Sequence, residues 1–475
     1  MVTESARSAP LPAAGAVVKT VPLSVWDQVS MRSYMRVVLC FPFLANGDNL
    51  ARASSCLRSA LARLKEQRPD FAGRILAGND DDRGRVFLRT SPSDSIPFEM
   101  QALGDDFASY ETLKSAAFPP EDFVHPRFSI PHNLDKGPAP VASIKAFAIQ
   151  GGLMLTVFFH HSIADGECLR IFLESFAAQT RKTPIRAPFM PQFDFPKQTL
   201  SRADSAELVS HLPEYTLLPE PYGPTVPYIP AGGVPIDEID RTGKIFTFDN
   251  DRLVCLRRAL AKVMKRSKVP SNYTCLAAWA WAHISRARMR DDEYVPRTAT
   301  DPPARLQTMV NWKKRVDGNA RYENYFGNAT AIAVTTSVAS ELASACQDLS
   351  SLGCLVRRIE ASIQSVDDAF VNKRTAFFDS VSDPRRVGLA SDPRTPTDLA
   401  FNTWRFFGAD TAWDIPGVPS RVPDTVRKAQ ETWGLAGALI LPARKTSQVH
   451  ELLITLPSSS MRILCQDKDW SQLNY

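Results

Sequence analysis

Residues 151–180, GGLMLTVFFHHSIADGECLRIFLESFAAQT, carry the most informative local pattern in this sequence. The paired glycines indicate a turn, and the apolar run Leu153–Phe159 that follows them predicts a buried strand. From Gly166 to Thr180, apolar residues recur at i, i+3 and i+4, which predicts a helix with one face against a core. The stretch is therefore expected to form a strand, a polar loop and a helix.

Strands and helices also alternate outward from this stretch. Before it, Met35–Phe43 and Val141–Ile149 are apolar and β-prone, while Asn49–Glu66 has helical spacing. After it, Lys244–Phe248 predicts a short strand and Tyr273–Arg288 a helix. Alternation in both halves of the chain favours an α/β fold class, and it leaves the sheet type open.

A proline-rich segment divides the chain. Eleven of its 36 prolines fall between Pro184 and Pro235. Proline removes backbone donors and favours extended geometry, so this segment predicts a long crossover between domains. The length of 475 residues suits two to three domains. We therefore expect an N-terminal domain over 1–183, a crossover over 184–240 and a C-terminal domain over 241–475.

Composition excludes several classes of function. Lys and Arg number 56 against 51 Asp and Glu and form no long run, so nucleic acid is not an expected partner. No run reaches the roughly 20 apolar residues of a membrane span, and the amino-terminal segment lacks the features of a signal peptide. The eight cysteines form no CxxC pair, which argues against zinc sites and disulfide scaffolds. We expect a soluble, cytoplasmic protein with no bound metal.

Two histidines end the predicted strand of the opening stretch. His160 and His161 are followed by a short spacer, then by Asp165 and Gly166. A neutral imidazole near pH 7 can take a proton from an alcohol, amine or thiol, and a loop at a strand end keeps such a group accessible. Asp165 could orient the imidazole or fix the loop through a basic partner, and Gly166 would let a ligand approach closely. A structural histidine pair on a turn is the alternative interpretation.

The sequence from His161 to Gly166 resembles the HxxxDG motif of the CoA-dependent BAHD acyltransferases. That motif is shared more widely with chloramphenicol acetyltransferase, carnitine acyltransferases and peptide-synthetase condensation domains. Further segments spread along the chain resemble family motifs: Pro69–Ile75, Phe147–Leu153, Ala277–Arg288, Val310–Arg315, the YFGN of Tyr325–Asn328, and the closing Met461, Leu464, Asp467 and Trp470. The YFGN and helix matches favour BAHD-like enzymes over condensation domains.

The resemblance implies two chloramphenicol-acetyltransferase-like domains with mixed sheets and an active-site channel between them. It assigns to His161 the role of general base, which deprotonates the acceptor and then protonates the CoA thiolate. It implies that Asp165 points away from the substrate and pairs with a basic residue. The family arginine falls on Lys313, with Arg315 nearby, and a lysine keeps the charge while losing bidentate geometry.

Other positions are assigned by the same resemblance. Asn402 stands where the family often has Thr or Ser, so its amide is expected to donate to the oxyanion, and Trp404 is expected to line the channel. Ordinary packing is the alternative for both residues. A basic patch just before the helix at Tyr273 is expected either to meet the CoA phosphates or to be a solvated face; it consists of Lys262, Lys265, Arg266 and Lys268.

One segment departs from the family pattern. Asn402–Arg405 resembles the [TS]-S-W-x motif, but the D-F-G-W-G that usually follows is replaced by a divergent segment at Asp410–Gly417. This divergence is similar to the fungal branch that includes trichothecene acetyltransferases. Since the segment is chiefly structural in the family, its change bears on subfamily more than on activity.

The sequence thus predicts a monomeric acyltransferase that moves an acyl group, with acetyl-CoA as the expected donor, to a hydroxyl of a secondary metabolite. No separate cofactor is expected. One alternative keeps the fold but acts as a condensation or cyclisation enzyme on a polyketide or carrier-bound intermediate. The other is a non-catalytic binding protein of the same fold.

Overall fold

The computed structural model describes residues 17–474 except 105, 106, 132, 186–203, 231, 293–300, 317–321 and 323. The strands are β1 Lys19–Pro22, β2 Tyr34–Pro42, β3 Arg74–Ala77, β4 Val86–Thr90, β5 Phe98–Ala102, β6 Ala139–Pro140, β7 Ala142–Ile149, β8 Gly152–His160, β9 Tyr215–Leu217, β10 Arg241–Asp249, β11 Pro303–Asn311, β12 Thr330–Val338, β13 Val387–Leu389, β14 Asp398–Thr403, β15 Thr425–Lys428, β16 Gly437–Ile440 and β17 Val449–Pro457. The helices are α1 Val25–Gln28, α2 Asn49–Gln67, α3 Tyr110–Ser115, α4 Gly166–Thr180, α5 Ser205–Val209, α6 Asn250–Val263, α7 Asn272–Met289, α8 Ala339–Ala345, α9 Leu349–Gln364, α10 Asp368–Ser380 and α11 Ser458–Gln466.

Five strands form the main sheet of the N-terminal half, in the order β15-β2-β8-β7-β5. Only β5 and β7 run parallel, so the sheet is mixed. Strand β8 is buried along its whole length because both of its faces are covered. On one face Leu155 packs in the same core as Leu57 of α2 and Leu173 of α4. On the other face Met154 packs with Phe123 and Phe128.

Six strands form the sheet of the C-terminal half, in the order β10-β17-β16-β14-β11-β12. Here β14 runs parallel to both β11 and β16, while the other pairs are antiparallel. Helix α7 lies at the centre of this half and is buried on all sides from Thr274 to Arg288. Residues of α6, α9 and α11 complete the core around it. The predicted α/β class with mixed sheets is confirmed.

The N-terminal sheet contains one strand from the C-terminal half. Strand β15 belongs by sequence to the C-terminal half, yet it pairs with β2, with Thr425 opposite Cys40. The divergent segment at Asp410–Gly417 lies shortly before β15 in the chain. Its Trp413 ring packs edge-on against the Phe41 ring of β2, with centroids 6.2 Å apart. The predicted C-terminal domain over 241–475 is therefore not confined to one sheet, although its boundaries stay a prediction.

The predicted crossover is docked on the C-terminal half where it is described. Its strand β9 pairs with β13, and Glu214 just before β9 forms a buried ion pair with Arg374 of α10. The Glu214 Oε1 to Arg374 Nε distance is 2.6 Å. Residues 186–203 of the crossover lie outside the described residues. Within the described parts of the chain, no helix is both long and apolar enough to span a bilayer.

Candidate active site

The HxxxDG loop, residues 161–165, joins the end of β8 to the start of α4. Strand β2 runs beside β8 with Tyr34 opposite His160, and the His161 amide donates to the Ser33 carbonyl at 2.8 Å. Asp165 is the N-cap of α4, because its Oδ1 accepts the amide of Cys168 at 3.1 Å. The loop is thus held at one end by a backbone hydrogen bond and at the other by the side-chain cap of Asp165, so the position of His161 is set by the strand and the helix.

The second carboxylate oxygen of Asp165 binds the C-terminal half. Its Oδ2 accepts the amide of Ala329 at 3.0 Å and the hydroxyl of Thr330 at 3.2 Å. Burial raises the pKa of this carboxyl, but the charge of Lys313 and the amides of Ala329 and Cys168 outweigh burial and hold the pKa below its usual value. Asp165 therefore stays ionised and fastens the loop to the start of β12.

The basic residues predicted to pair with Asp165 lie differently from expectation. Lys313 is nearly buried, and its Nζ lies 5.6 Å from the centre of the Tyr325 ring. It acts on Asp165 through its charge, and among the described residues no ion pair within 4.0 Å joins the two. The prediction for Arg315 is wrong, because its Nη1 donates to the Ile363 carbonyl at 2.9 Å. Backbone amides and a hydroxyl take the place of the expected direct pair.

The YFGN segment, Tyr325–Asn328, is a wedge from the C-terminal half into the N-terminal core. The Phe326 ring packs against Phe71, with centroids 5.3 Å apart, and against Phe159 at 6.0 Å. Gly327 exchanges hydrogen bonds with the Cys168 thiol, which accepts its amide at 3.3 Å and donates to its carbonyl at 3.4 Å. A side chain at Gly327 would have its Cβ 2.3 Å from the Tyr325 hydroxyl, so only glycine fits this turn.

Asn328 connects this wedge to the candidate base. Its Nδ2 donates to the His161 carbonyl at 2.8 Å and to Asp27 Oδ1 at 2.8 Å. The backbone amide of Asn328 also donates to Asp27 Oδ1, at 2.8 Å. Sequence analysis did not single out Asp27, although it directly follows the apolar pair Val25-Trp26, a position that can indicate a buried, bonded carboxylate.

Asp27 is completely buried, with a side chain that accepts three hydrogen bonds. The third donor is the Ser24 hydroxyl, 2.6 Å from Oδ2. Burial raises the pKa of Asp27 to about 6, even though the bonds from Ser24 and Asn328 oppose the shift. The carboxylate is therefore held at a cost in desolvation.

His161 itself is partly buried, and its setting favours the neutral imidazole. Burial lowers its pKa, while its own carbonyl, the charge of Asp165 and the side chain of Asn328 counter that shift. Its Nδ1 is buried and has no hydrogen-bond partner of good geometry among the described residues. A neutral imidazole at physiological pH is the protonation state that a general base requires.

Asn402 and Trp404 stand at the end of β14, between β11 and β16. Asn402 Oδ1 accepts the amide of Thr403 at 2.7 Å, and its Nδ2 makes no hydrogen bond within the described chain. The Trp404 and Phe407 rings stack with centroids 5.7 Å apart. Phe407 in turn lies against the HxxxDG loop, because a Cβ added at Gly166 would be 2.3 Å from its Cζ. The contact from Gly166 through Phe407 to Trp404 brings this segment of the C-terminal half to the HxxxDG loop.

The four residues of the basic patch before α7 differ in their contacts. Arg266 is engaged in an ion pair with Glu360 of α9, with Nη2 and Oε1 2.9 Å apart. Lys262, Lys265 and Lys268 are exposed and form no ion pair within the described chain. Close to them, Asn272 at the start of α7 bonds to His450, with Nδ2 and Nε2 2.9 Å apart.

Other chemistry lacks support at this site. Among the described residues, no group of three or more His, Cys, Asp or Glu side chains could hold a metal ion. The thiol nearest to the loop is Cys168, which is bonded to Gly327 and whose pKa burial raises well above its usual value. A buried, protonated thiol is a poor nucleophile, so Cys168 is unsuited to a covalent acyl intermediate.

Comparison with known proteins is consistent with this geometry. The model of the Transferase family matches residues 1–470, and the chain belongs to that family. This confirms the resemblance to the BAHD acyltransferases that the sequence motifs carried. Acyltransferase easC of Emericella nidulans is 23% identical over 92% of this chain and 88% of its own length. Trichothecene 8-O-acetyltransferase of Fusarium sporotrichioides is 22% identical over 94% and 96% of the two chains.

The fold is shared with solved structures. TRI101 of F. graminearum, complexed with coenzyme A and T-2 mycotoxin, has a TM-score of 0.78 at 19% identity, over 96% of this chain and 99% of its own. Vinorine synthase has a TM-score of 0.62 at 18% identity, over 98% and 95% of the two chains. Together with family membership, these similarities identify an acyl-CoA-dependent acyltransferase of the fungal group, as the sequence predicted.

Proposed function

We propose that this protein transfers an acyl group from acyl-CoA to a hydroxyl of a secondary metabolite, with His161 as the general base. The observation that carries the proposal is the junction at His161. The His161 imidazole has a lowered pKa, and the His161 carbonyl accepts Nδ2 of Asn328 from the YFGN wedge. The same loop reaches the segment after β14 through the contact of Gly166 with Phe407. Asp165 is held in a separate set of hydrogen bonds, which leaves the imidazole free to act on substrate.

The reaction follows from these positions. The imidazole takes the proton of the acceptor hydroxyl while the hydroxyl oxygen attacks the carbonyl carbon of the thioester. This attack gives a tetrahedral oxyanion. Collapse of this intermediate breaks the C–S bond, and the imidazolium returns the proton to the CoA thiolate. We assign the oxyanion donor to the uncommitted Nδ2 of Asn402, an interaction worth roughly 3 kcal/mol in comparable sites. Trp404, stacked on Phe407, would wall the channel between the domains.

Acetyl-CoA is our proposed donor, and the acceptor class is an alcohol of fungal secondary metabolism. Several relatives are described as O-acetyltransferases, including the trichothecene and eremophilane enzymes. For the CoA phosphates we propose the exposed Lys262, Lys265 and Lys268, while the ion pair with Glu360 leaves Arg266 less available. We also propose that the protein is a cytoplasmic monomer. Size-exclusion chromatography with light scattering tests the monomeric state, and fractionation of a cell extract tests the cytoplasmic location.

The test is a thiol-release assay with acetyl-CoA and a panel of alcohols, with and without protein. We expect His161→Ala to lower acceptor-dependent thiol release by about 100- to 10,000-fold, the range typical of a lost general base. The matched control is His211→Ala, at an exposed histidine far along the chain from the motif, which should retain native rates.

The alternatives give different results in the same assay. A condensation or cyclisation enzyme would release no thiol from acetyl-CoA and would instead turn over a carrier-bound acyl substrate in a way that depends on His161. A non-catalytic binding protein would bind acyl-CoA or the alcohol in calorimetry without turnover. If His161→Ala released thiol as fast as the native protein with the same acceptor, the assignment of the base would be wrong.

A further inference from the structure

The side chain of Asn328 has only one orientation that suits its neighbours. The two groups facing its Nδ2, the His161 carbonyl and Asp27 Oδ1, can only accept hydrogen bonds when Asp27 is ionised. Both hydrogens of the amide nitrogen are therefore used. The amide oxygen must point away from them, and the Asn328 side chain raises the pKa of the His161 imidazole, as an acceptor placed near the ring would.

Asp27 holds Asn328 in that orientation. One of its carboxylate oxygens receives both the backbone amide and Nδ2 of Asn328, so the residue is gripped at two points. The other oxygen is gripped by Ser24, whose hydroxyl also lies 3.2 Å from the Tyr325 hydroxyl. Short segments far apart in the chain, 24–27 and 325–328, are thereby locked together directly behind the catalytic loop.

Joining two segments through a buried carboxylate costs desolvation free energy. A neutral side chain could pack there, and burying an ionised group costs more than its hydrogen bonds return unless it is fully satisfied. Costly polar groups that persist in a core are expected where function needs them. Here the only described contact that leads from Asp27 to the reacting group runs through the Asn328 amide to the backbone of His161.

We propose that Asn328, oriented by Asp27, is the positioning residue of the catalytic base. By fixing the His161 carbonyl, it sets the backbone from which the imidazole projects towards the substrate. Asp27 acts only through Asn328. This inference rests on the proposed function, since it describes how the base of that reaction is aimed.

Other charged groups near the base do not do the same task. Asp165 also raises the pKa of His161, but its oxygens are committed to Cys168, Ala329 and Thr330. Lys313 acts on both Asp27 and Asp165 by its charge. Asn328 alone, among the described residues, joins a side chain to the His161 carbonyl.

The decisive experiment reads His161 directly in the full-length protein. Histidine labelled with ¹³C and ¹⁵N gives the imidazole pKa and tautomer by NMR, and the signal that is lost in His161→Ala assigns the residue. Asn328→Ala should lower the pKa of His161. Asp27→Asn, a milder change, should give a smaller effect in the same direction. Thr375→Val is the matched control, because it removes a buried hydrogen bond to Trp26, the residue next to Asp27, without touching Asn328 or His161, and it should leave both readings native.

Kinetics supply the second reading, again with acetyl-CoA and the alcohol that supports the fastest thiol release. Asn328→Ala should reduce kcat by about 100-fold, as loss of alignment does, with the KM for acetyl-CoA changed less than twofold. A purely structural role predicts equal effects of Asn328→Ala and Thr375→Val, or a fall in activity that only follows the folded fraction measured by circular dichroism. Either result overturns the inference, as does a native His161 pKa in Asn328→Ala. If His161→Ala is itself active, the proposed function fails instead.

Discussion

The buried carboxylate of Asp27 gives the sharpest prediction about stability, through the substitution Asp27→Asn. The amide keeps the shape of the side chain. If it turns its oxygen towards Asn328, that oxygen can still accept both hydrogen bonds from Asn328, and its nitrogen can donate to the Ser24 hydroxyl. The substitution therefore removes the ionisable group while leaving the packing and hydrogen-bond count nearly intact.

The magnitude follows from the pKa. Burial raises the pKa of Asp27 from 3.8 to about 6, so the folded state holds its proton more tightly than the unfolded chain. The native protein therefore loses stability relative to the variant as the pH rises through that window, and the loss is complete above about pH 6. The full difference is about 3 kcal/mol at 1.36 kcal/mol for each unit of pKa, and about 1.4 kcal/mol of it falls between pH 5 and pH 8.

The measurement is urea-induced unfolding of both proteins at matched ionic strength, followed by tryptophan fluorescence between pH 5 and pH 8. Only the difference between the two proteins is used, so that all other titrating groups cancel. We expect the variant to gain about 1.4 kcal/mol on the native protein across this range. A difference that does not change with pH, or one that changes in favour of the native protein at high pH, would refute the reasoning that Asp27 is a destabilised, buried carboxylate.

Four further outcomes are expected. The acid limb of the kcat/KM profile should have an apparent pKa below 6.5, because burial lowers the pKa of His161; a limb above that value would contradict the lowered pKa of the base. Gly166→Ala should cost about 1–3 kcal/mol and slow turnover, since its Cβ would meet Phe407, and Phe407→Leu in the same chain should recover part of the loss. Asp165→Asn should lower the free energy of unfolding by about 1–3 kcal/mol, as one backbone amide would then face an amide nitrogen, and an unchanged urea midpoint would argue against its dual bonding. Glu214→Ala should cost about 3–5 kcal/mol by leaving Arg374 unpaired, and unaltered melting would mean that the crossover is not docked there.

The long, strongly patterned elements could be predicted from the sequence. The helix expected over Gly166–Thr180 is α4 with the same bounds, and the strand expected over Leu153–Phe159 lies within β8. These segments succeed because their apolar residues face a core at a regular spacing, which local sequence records directly. Short strands such as β9, β13 and β15 were not predicted, because three or four residues carry too little periodicity and exist only through their partners.

The site also contains residues that could be predicted from the sequence and contacts that could not. The motif predicted His161, Asp165 and Gly166 at one junction, and the structure has His161 and Asp165 in the loop after β8 and Gly166 as the first residue of α4. The family resemblance assigned Lys313 and Arg315 as partners of Asp165, whereas the structure binds this carboxylate with amides and a hydroxyl, and Lys313 acts on it only through its charge. Backbone donors have no letter in the sequence, so a motif match names side-chain partners and does not indicate them.

The sequence by itself determined the class of enzyme, the catalytic loop and the alternation of strands and helices, because each is encoded in neighbouring residues. Only the tertiary structure decided what stands behind the base. Asp27 and Asn328 are about 300 positions apart in the chain and meet at 2.8 Å through packing of the YFGN wedge into the N-terminal core. The pairing of β15 with β2 of the N-terminal sheet also depends on the tertiary structure. Contacts of this kind depend on how two sheets come together, and no local periodicity or charge pattern records them.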